Sequence, residues 1–239
     1  MNLVDQLHLR AAKAVEKTHR RLHKLFPQAL WAGNPERREI ALTFDDGPNP
    51  RDTLPLLEVL NRHHVTATFF NIGTRVKQFP HLTRVVAAAG HQIGLHGYYH
   101  RPFLLELPLA LRAELDLFRS LTVKACACDP ALLWDVRPPY GLFRAGTLRL
   151  LDRWGYRPVM WSIVPHHRLQ SLETTVIQIT RHTTAGSILV LHEGWPGPPV
   201  ALVADKVIEQ LKELGFRFIT IDQMWRAQTM AADDNLLLT

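Results

Sequence analysis

Glu39-Ile40-Ala41-Leu42-Thr43-Phe44 is a short apolar run that breaks off in Asp45-Asp46-Gly47-Pro48. An apolar run of this length, closed by turn residues, reads as a buried strand that delivers a polar turn at its C-terminal end. Helical spacing follows over Thr53–Arg62, and a second apolar run stands at Ala67–Ile72. The alternation continues with candidate strands at Gln92–Leu95, Leu132–Val136, Arg157–Trp161, Ser187–Leu191 and Phe216–Ile221. Candidate helices lie between them at His81–Ala89, Pro108–Thr122, Arg144–Trp154, Leu172–His182 and Val200–Leu214. Repeated βα units predict a mostly parallel sheet, so the expected fold is α/β: a distorted (β/α)7-type barrel, TIM-barrel-like and incompletely closed.

The remaining composition fits that expectation. A chain of 239 residues lies within the range of one α/β barrel. Its 46% hydrophobic and 21% charged content excludes disordered and fibrous classes. The net charge of +6 suits anionic surroundings, but no nucleic-acid-binding motif accompanies it, so a nucleic-acid partner is not expected. Cys126 and Cys128 are the only cysteines; their spacing makes an internal disulfide awkward and offers no cysteine-based zinc signature.

Before the first strand, Leu3, Leu7, Ala11, Ala14, Val15, Leu22 and Leu25 recur at helical spacing among basic side chains. This predicts an amphipathic helix from Met1 to about Leu30, packed across one end of the barrel or attached to an anionic membrane face. Trp31 to Arg38 reads as a linker. Met1–Pro27 has no continuous apolar run, and no window approaches a membrane span. The expected location is therefore the cytoplasm or the periphery of the inner membrane face.

Chemistry-bearing residues cluster just past strand ends. Asp45-Asp46 follows the first strand, His96 and His100 the third, Arg137-Pro138-Pro139-Tyr140 the fourth, and His192 the sixth. In a parallel barrel these ends share one face, where active sites are built. Adjacent carboxylates can then take two roles, one binding metal and one acting as base. His96 and His100, four apart, would lie on one side of a helical turn and reach a single ion. Two imidazoles and a carboxylate leave coordination positions open, as catalytic zinc requires, though the same set suits iron(II). Each signal alone has an ordinary alternative: Asp-Asp-Gly-Pro is also a turn, a histidine pair also a surface feature, and Arg137 also a salt-bridge partner.

Thr43-Phe44-Asp45-Asp46-Gly47-Pro48, Ala67-Thr68-Phe69-Phe70, Gly90-His91-Gln92-Ile93-Gly94, His96-Gly97-Tyr98-Tyr99-His100, Arg137-Pro138-Pro139-Tyr140-Gly141 and Leu189-Val190-Leu191-His192 occur in that order. The ordered set resembles the polysaccharide deacetylase family, the NodB homology domain of carbohydrate esterase family four, from about Ile40 to Trp225. The resemblance implies a deacetylase of N-acetylated sugars in a glycan or glycolipid, acting on C–N bonds. It implies one divalent metal, zinc foremost with Co2+, Fe2+ or Ni2+ as alternatives, held by Asp46, His96 and His100. Asp45 resembles the general base, Arg137 the arginine that partners it, and His192 the general acid. Tyr140 resembles the residue whose backbone N–H faces the oxyanion, and Leu191 a wall of the acetyl pocket; Trp195, in the Gly194–Pro199 loop, would replace a sugar-wall Trp that this chain lacks at Arg168, or pack on proline as a rim aromatic. On this reading residues 1–38 are an N-terminal helix and linker, 39–228 the catalytic domain and 229–239 a tail.

The resemblance fails in one place. After the fifth strand the family usually carries an Asp-containing motif ending in Asp-Trp, whereas this chain reads Trp161-Ser162-Ile163-Val164-Pro165-His166-His167-Arg168. Val164, His167 and Arg168 stand near the expected Asp, Asp and Trp. A lost carboxylate should make His192 harder to keep protonated, so a weaker enzyme, a shifted pH optimum or a substitute partner such as Glu193 is expected. At the position usually Ser or Thr, Gly97 should cost a loop hydrogen bond at most. Two readings compete with the first: a non-catalytic carbohydrate-binding relative, and a deacetylase of O-acetyl esters or a small cyclic amide. The sequence leaves oligomeric state open.

Overall fold

A computed structural model describes residues 24–165 and 170–236. Strand β1 (Glu39–Asp45) is buried along its whole length. Flanking it in parallel register are β2 (Thr68–Asn71) and β6 (Ile188–His192). Outward from β2 follow β3 (Gln92–Leu95), β4 (Asp135–Val136) and β5 (Arg157–Pro158), giving the order β5-β4-β3-β2-β1-β6. A seventh strand, β7 (Arg217–Phe218), pairs with Glu39 and Ile40 at the start of β1. The sheet curls until Ile163 bridges Leu189, while Leu30 bridges Val159 beside it. The result is the distorted barrel that the alternation predicts.

Several strands are shorter than their apolar runs. Pro158 has no N–H to donate, and the ladder ends there; Leu30 takes over, donating to Pro158 O at 2.8 Å and accepting from Met160 N at 2.8 Å. Leu30 is therefore a strand bridge rather than a helix end. The rest of the predicted N-terminal helix lies chiefly outside the described residues, as do His166, His167 and Arg168.

The eight described helices are α1 (Thr53–Arg62), α2 (Gly73–Gln78), α3 (Pro80–Ala88), α4 (Pro108–Cys126), α5 (Ala145–Arg153), α6 (Leu172–His182), α7 (Val200–Glu213) and α8 (Ile221–Leu236). Helix α2 was not anticipated, because its six residues show too little periodicity. Helix α8 runs through most of the expected C-terminal tail and replaces the end of the predicted strand Phe216–Ile221. Among the described residues, no helix is long and apolar enough to cross a membrane.

Alternation along β1 divides the core. Leu42 and Phe44 face outward with Leu189 and Leu191 of β6, against Leu56 and Leu60 of α1 and Val203 and Val207 of α7. Ala41 and Ile188 face inward with Phe70, Val159, Ile219 and Ile221. Burying each large outward side chain stabilises the fold by roughly 1.5–3 kcal/mol. Inward positions are smaller because one interior is shared by all strands. A Cβ on Gly94, for example, would stand 2.5 Å from Phe70 Cδ1.

Candidate active site

The C-terminal ends of β1, β3, β4 and β6 bring the strand-end residues together. Asp45, the last residue of β1, is register partner to His192 at the end of β6. Its Oδ1 accepts from Arg137 Nη1 at 2.6 Å, and both side chains are almost fully buried. Arg137 also donates to Thr43 Oγ1 at 2.8 Å and Met160 O at 3.0 Å, and its guanidinium lies 4.0 Å from the Phe70 ring centroid. The base candidate is thus held from beneath by a cation rooted in the barrel interior.

Asp46 turns away from its neighbour because its backbone is left-handed (φ 68°). Its Oδ1 lies 3.0 Å from His100 Nε2 and 3.6 Å from His96 Nε2, and one donor atom from each of the three residues falls within 4.8 Å of the others. Burial alone would raise the Asp46 carboxyl, but the His100 hydrogen bond and the charges of His96 and His100 outweigh it and hold it well below the usual carboxylate range. Burial pulls His96 below the ordinary imidazole value, against the opposing pull of Asp45 and Asp46.

These residues fit a divalent ion on their own chemistry. His96 Nδ1 lies 2.8 Å from the Arg137 carbonyl, which can only accept, so Nδ1 carries the proton and the Nε2 lone pair faces Asp46. A backbone acceptor behind a ligating imidazole is the usual second layer of such sites. Two imidazole nitrogens and a carboxylate would supply three ligands and leave open positions.

Loop geometry, rather than a helical turn, brings His96 and His100 together. Residues 96–100 carry no helix; Gly97 (φ 71°) and His100 (φ 57°) are both left-handed. Glycine at 97 therefore does more than omit a hydroxyl, since a Cβ there would also press on Phe103 and Pro139 at 3.3 Å. Tyr140, left-handed at φ 59°, sets its hydroxyl 3.2 Å from His100 Nδ1.

Trp195 stacks on His192 with ring centroids 3.7 Å apart and planes 14° from parallel, and its Nε1 donates to Asp46 Oδ2 at 2.8 Å. The aromatic thus joins the acid candidate to a carboxylate of the candidate ligand set.

Two expectations need correcting. Leu191 is no wall of this site: it shares the outward face with Phe44 and Leu189, packed among helices. Successive strand residues face opposite ways, so Val190, paired with Thr43, is the β6 residue on the His192 side. Nor does Glu193 substitute as a partner for His192. Its Oε2 accepts from Thr53 Oγ1 and from Asn49 N at 3.2 Å, and its Oε1 crowds Gly47. Thr43 and Val190 went unnoticed in sequence, though small or polar residues alternating with Leu42 and Phe44 signal the inward face.

The family model described as polysaccharide deacetylase matches residues 32–159, more than half of the chain. The chain belongs to the polysaccharide deacetylase family. A Bacillus cereus relative named peptidoglycan-N-acetylglucosamine deacetylase is 30% identical over 203 residues, covering 82% of this chain and 71% of the relative. A Bradyrhizobium chitooligosaccharide deacetylase is 36% identical over 160 residues, covering 66% of this chain and 72% of the relative. The solved structure of Bacillus subtilis PdaA, a family 4 carbohydrate esterase, superposes with a TM-score of 0.78 at 29% identity, covering 87% of this chain and 90% of that one. As a polysaccharide deacetylase family member, the chain gathers Asp45, Asp46, His96, His100, Arg137 and His192 at one end of the barrel.

Proposed function

We propose that this chain is a metal-dependent hydrolase that removes acetyl groups from N-acetylated sugars of a glycan or glycolipid. The observation that carries the reading is the meeting of Asp46, His96 and His100 beside an Asp45 that Arg137 secures from below. A zinc ion bound by those three residues would polarise the acetyl carbonyl and acidify a water; Co2+, Fe2+ or Ni2+ would suit the same donors.

The chain's own groups do the rest. Asp45 Oδ1 is engaged by Arg137, which leaves Oδ2, on the side of His96 at 3.7 Å, to accept the proton of the attacking water. The Tyr140 N–H donates to the oxyanion, a kind of contribution worth roughly 3–4 kcal/mol. His192 delivers a proton to the departing nitrogen, so that acetate and a free amine leave. Val190 bounds the acetyl methyl group, and Trp195 offers an aromatic surface to the sugar.

Acetate release from N-acetylglucosamine oligomers, run beside metal analysis of the same preparation, tests the proposal. Turnover is expected with metal and lost in Asp45→Asn. Metal-loaded protein that frees no acetate from any N-acetylated glycan would falsify it. Glycan binding that persists in Asp45→Asn, with no turnover to lose, would mark a carbohydrate-binding relative, a reading Val164 favours. Faster release from O-acetyl esters would reassign the substrate bond.

One observation favours a glycolipid over a polymer. Tyr99, Leu105, Tyr140 and Leu142 are all exposed, and Leu104 N donates to Leu142 O at 3.2 Å, so an apolar rim lies beside His100. Contiguous exposed apolar side chains mark contact surfaces. A chain peripheral to a membrane face would meet such a substrate there, and comparing lipid-linked with water-soluble acceptors tests it.

A further inference from the structure

Between His100 and helix α4 the chain presents leucine to solvent. Leu105, Leu107 and Leu109 are 67%, 71% and 83% exposed. Glu106 and Leu107 are extended (ψ 140° and 143°), so successive side chains alternate, and Leu105 and Leu107 share one side. The charge between them is turned the other way: the Glu106 side chain is 9% exposed and meets Arg101 Nε at 3.3 Å. Arg101 also meets Glu114 at 3.3 Å and lies over the Tyr99 ring, 4.6 Å from its centroid. The outer face of the turn is therefore leucine without charge. Its root is fixed. Phe103 is buried with Leu111, Leu115 and Phe118, Leu105 N donates to Pro102 O at 3.0 Å, and Pro108 pre-sets the first turn of α4.

This turn continues the apolar rim of the candidate site, since Leu104 N donates to Leu142 O at 3.2 Å. Next to Leu142, Phe143 packs edge-on against Phe26 with ring centroids 5.3 Å apart, near the start of the described residues. The sequence before Phe26 carries Arg10, Lys13, Lys17, Arg20, Arg21 and Lys24 against Asp5 and Glu16. Arg20 is six residues from Phe26, so chain length alone keeps it within about 22 Å of that residue. Exposed leucine and a surplus of positive charge are thus tethered to the same rim. Each selects the occupant. Leucines on a projecting turn need an apolar phase to enter, and tethered positive charge needs an anionic surface beside it; an anionic phospholipid bilayer supplies both. A second copy of this chain, at +6, would bring like charge against like.

We propose that the turn bearing Leu105, Leu107 and Leu109 is a docking surface that enters the headgroup and acyl boundary of an anionic phospholipid bilayer, with the basic sequence before Phe26 drawing the rim to the lipid. The proposal deepens the glycolipid reading of the active site and takes its functional meaning from that reading, while docking itself is measured without turnover.

The test is sedimentation of the full chain with vesicles of phosphatidylcholine containing phosphatidylglycerol, beside vesicles of phosphatidylcholine alone. Binding to the first is expected to be at least about 10-fold tighter than to the second. It should weaken as salt rises from about 0.1 to 1 M, which cuts the screening length from about 10 to 3 Å. The double variant Leu107→Ser/Leu109→Ser should bind the anionic vesicles at least about 10-fold more weakly, the scale for two leucines immersed in part. It should fold, because both side chains are exposed and a serine at 107 adds the capping hydroxyl that α4 lacks; a thermal melt checks this. Its acetate release from water-soluble N-acetylglucosamine oligomers should equal that of the wild type. Absence of wild-type binding to the anionic vesicles, or equal binding by the folded double variant, would overturn the proposal. So would a concentration-dependent dimer that the double variant abolishes in the absence of vesicle binding, since the face would then belong to a second copy. Vesicle binding that depends on both leucines, in a protein that frees no acetate, would uphold docking and count against the deacetylase reading alone.

Discussion

Arg137→Met is the perturbation with the largest calculable effect. The guanidinium is wholly buried and supplies the 2.6 Å bond to Asp45, whose carboxyl is 3% exposed. Methionine fills similar volume but leaves a carboxylate buried without its cation, which typically costs about 3–5 kcal/mol. Met160 O also loses its donor, whereas Thr43 Oγ1 still donates to Leu189 O at 2.7 Å. One unsatisfied carbonyl adds about 1–3 kcal/mol. Adding Asp45→Asn removes the stranded charge, so the double variant should be less destabilised than the sum of the two single changes by at least about 2 kcal/mol. Urea unfolding followed by tryptophan fluorescence, in chelator so that no ion complicates Asp46, measures each corner of the cycle. Costs that simply add, within about 0.5 kcal/mol, would show that the two side chains do not depend on each other and refute the account of how Asp45 is held.

Burial raises the Glu193 carboxyl from 4.5 to about 7, against the hydrogen bonds from Thr53 and Asn49. The folded state then keeps a proton that the unfolded chain sheds above 4.5, so this stabilisation is full below that pH and fades as pH rises through 7, by about 3 kcal/mol in all. Glu193→Gln cannot ionise and should flatten that decline; parallel urea midpoints for both proteins from pH 4.5 to 8 would contradict it. Trp195→Phe keeps an aromatic over His192 but deletes the donor to Asp46 Oδ2, and should weaken zinc binding about 10-fold, the scale for losing an outer partner of a ligand. Competition with a chromophoric chelator reads this, and unchanged affinity would remove Trp195 from the ligand's support. Leu191→Ala should cost about 2–5 kcal/mol of stability and leave KM alone, while Val190→Phe, at a position 1% exposed, should abolish turnover at a smaller cost of about 1–3 kcal/mol. The reverse pattern in thermal melts and kinetics would invert the assignment of strand faces.

Legibility from sequence followed strand length. Strands β1 and β6 have runs long enough to show their burial, and both appear where the apolar pattern puts them. Only two residues each form β4 and β5, inside the longer runs Leu132–Val136 and Arg157–Trp161 that mark them in sequence, because proline at 158 and at 138 cuts the ladders short. The site was legible as a set of polar clusters past strand ends, because a parallel barrel gathers those ends whatever the loops do. Which side of β6 faces the site was open to reasoning from His192, since parity fixes Val190 once the histidine is placed inside. Glu193 stayed hidden for another reason: an adjacent carboxylate looks like a partner in sequence, and only the strand's alternation turns it toward Thr53.

The site is positioned by two different physical means. Asp45 is aligned by the core: Ala41 and Thr43 are small enough inside the barrel to admit Arg137 and Phe70, and the guanidinium reaches upward from that layer. Asp46, His100 and Tyr140 are instead aligned by left-handed backbone, at φ 68°, 57° and 59°, each costing roughly 1–3 kcal/mol that the surrounding packing must hold. Changes to the first group should therefore register mainly in global unfolding, because they strand charge in the interior. Changes to the second should register mainly in ion affinity, because relaxing a loop moves a ligand while leaving the barrel's core untouched. A polar interior beneath a strained rim lets one fold hold the Asp45 carboxylate rigidly while Asp46 and His100 are set independently of it.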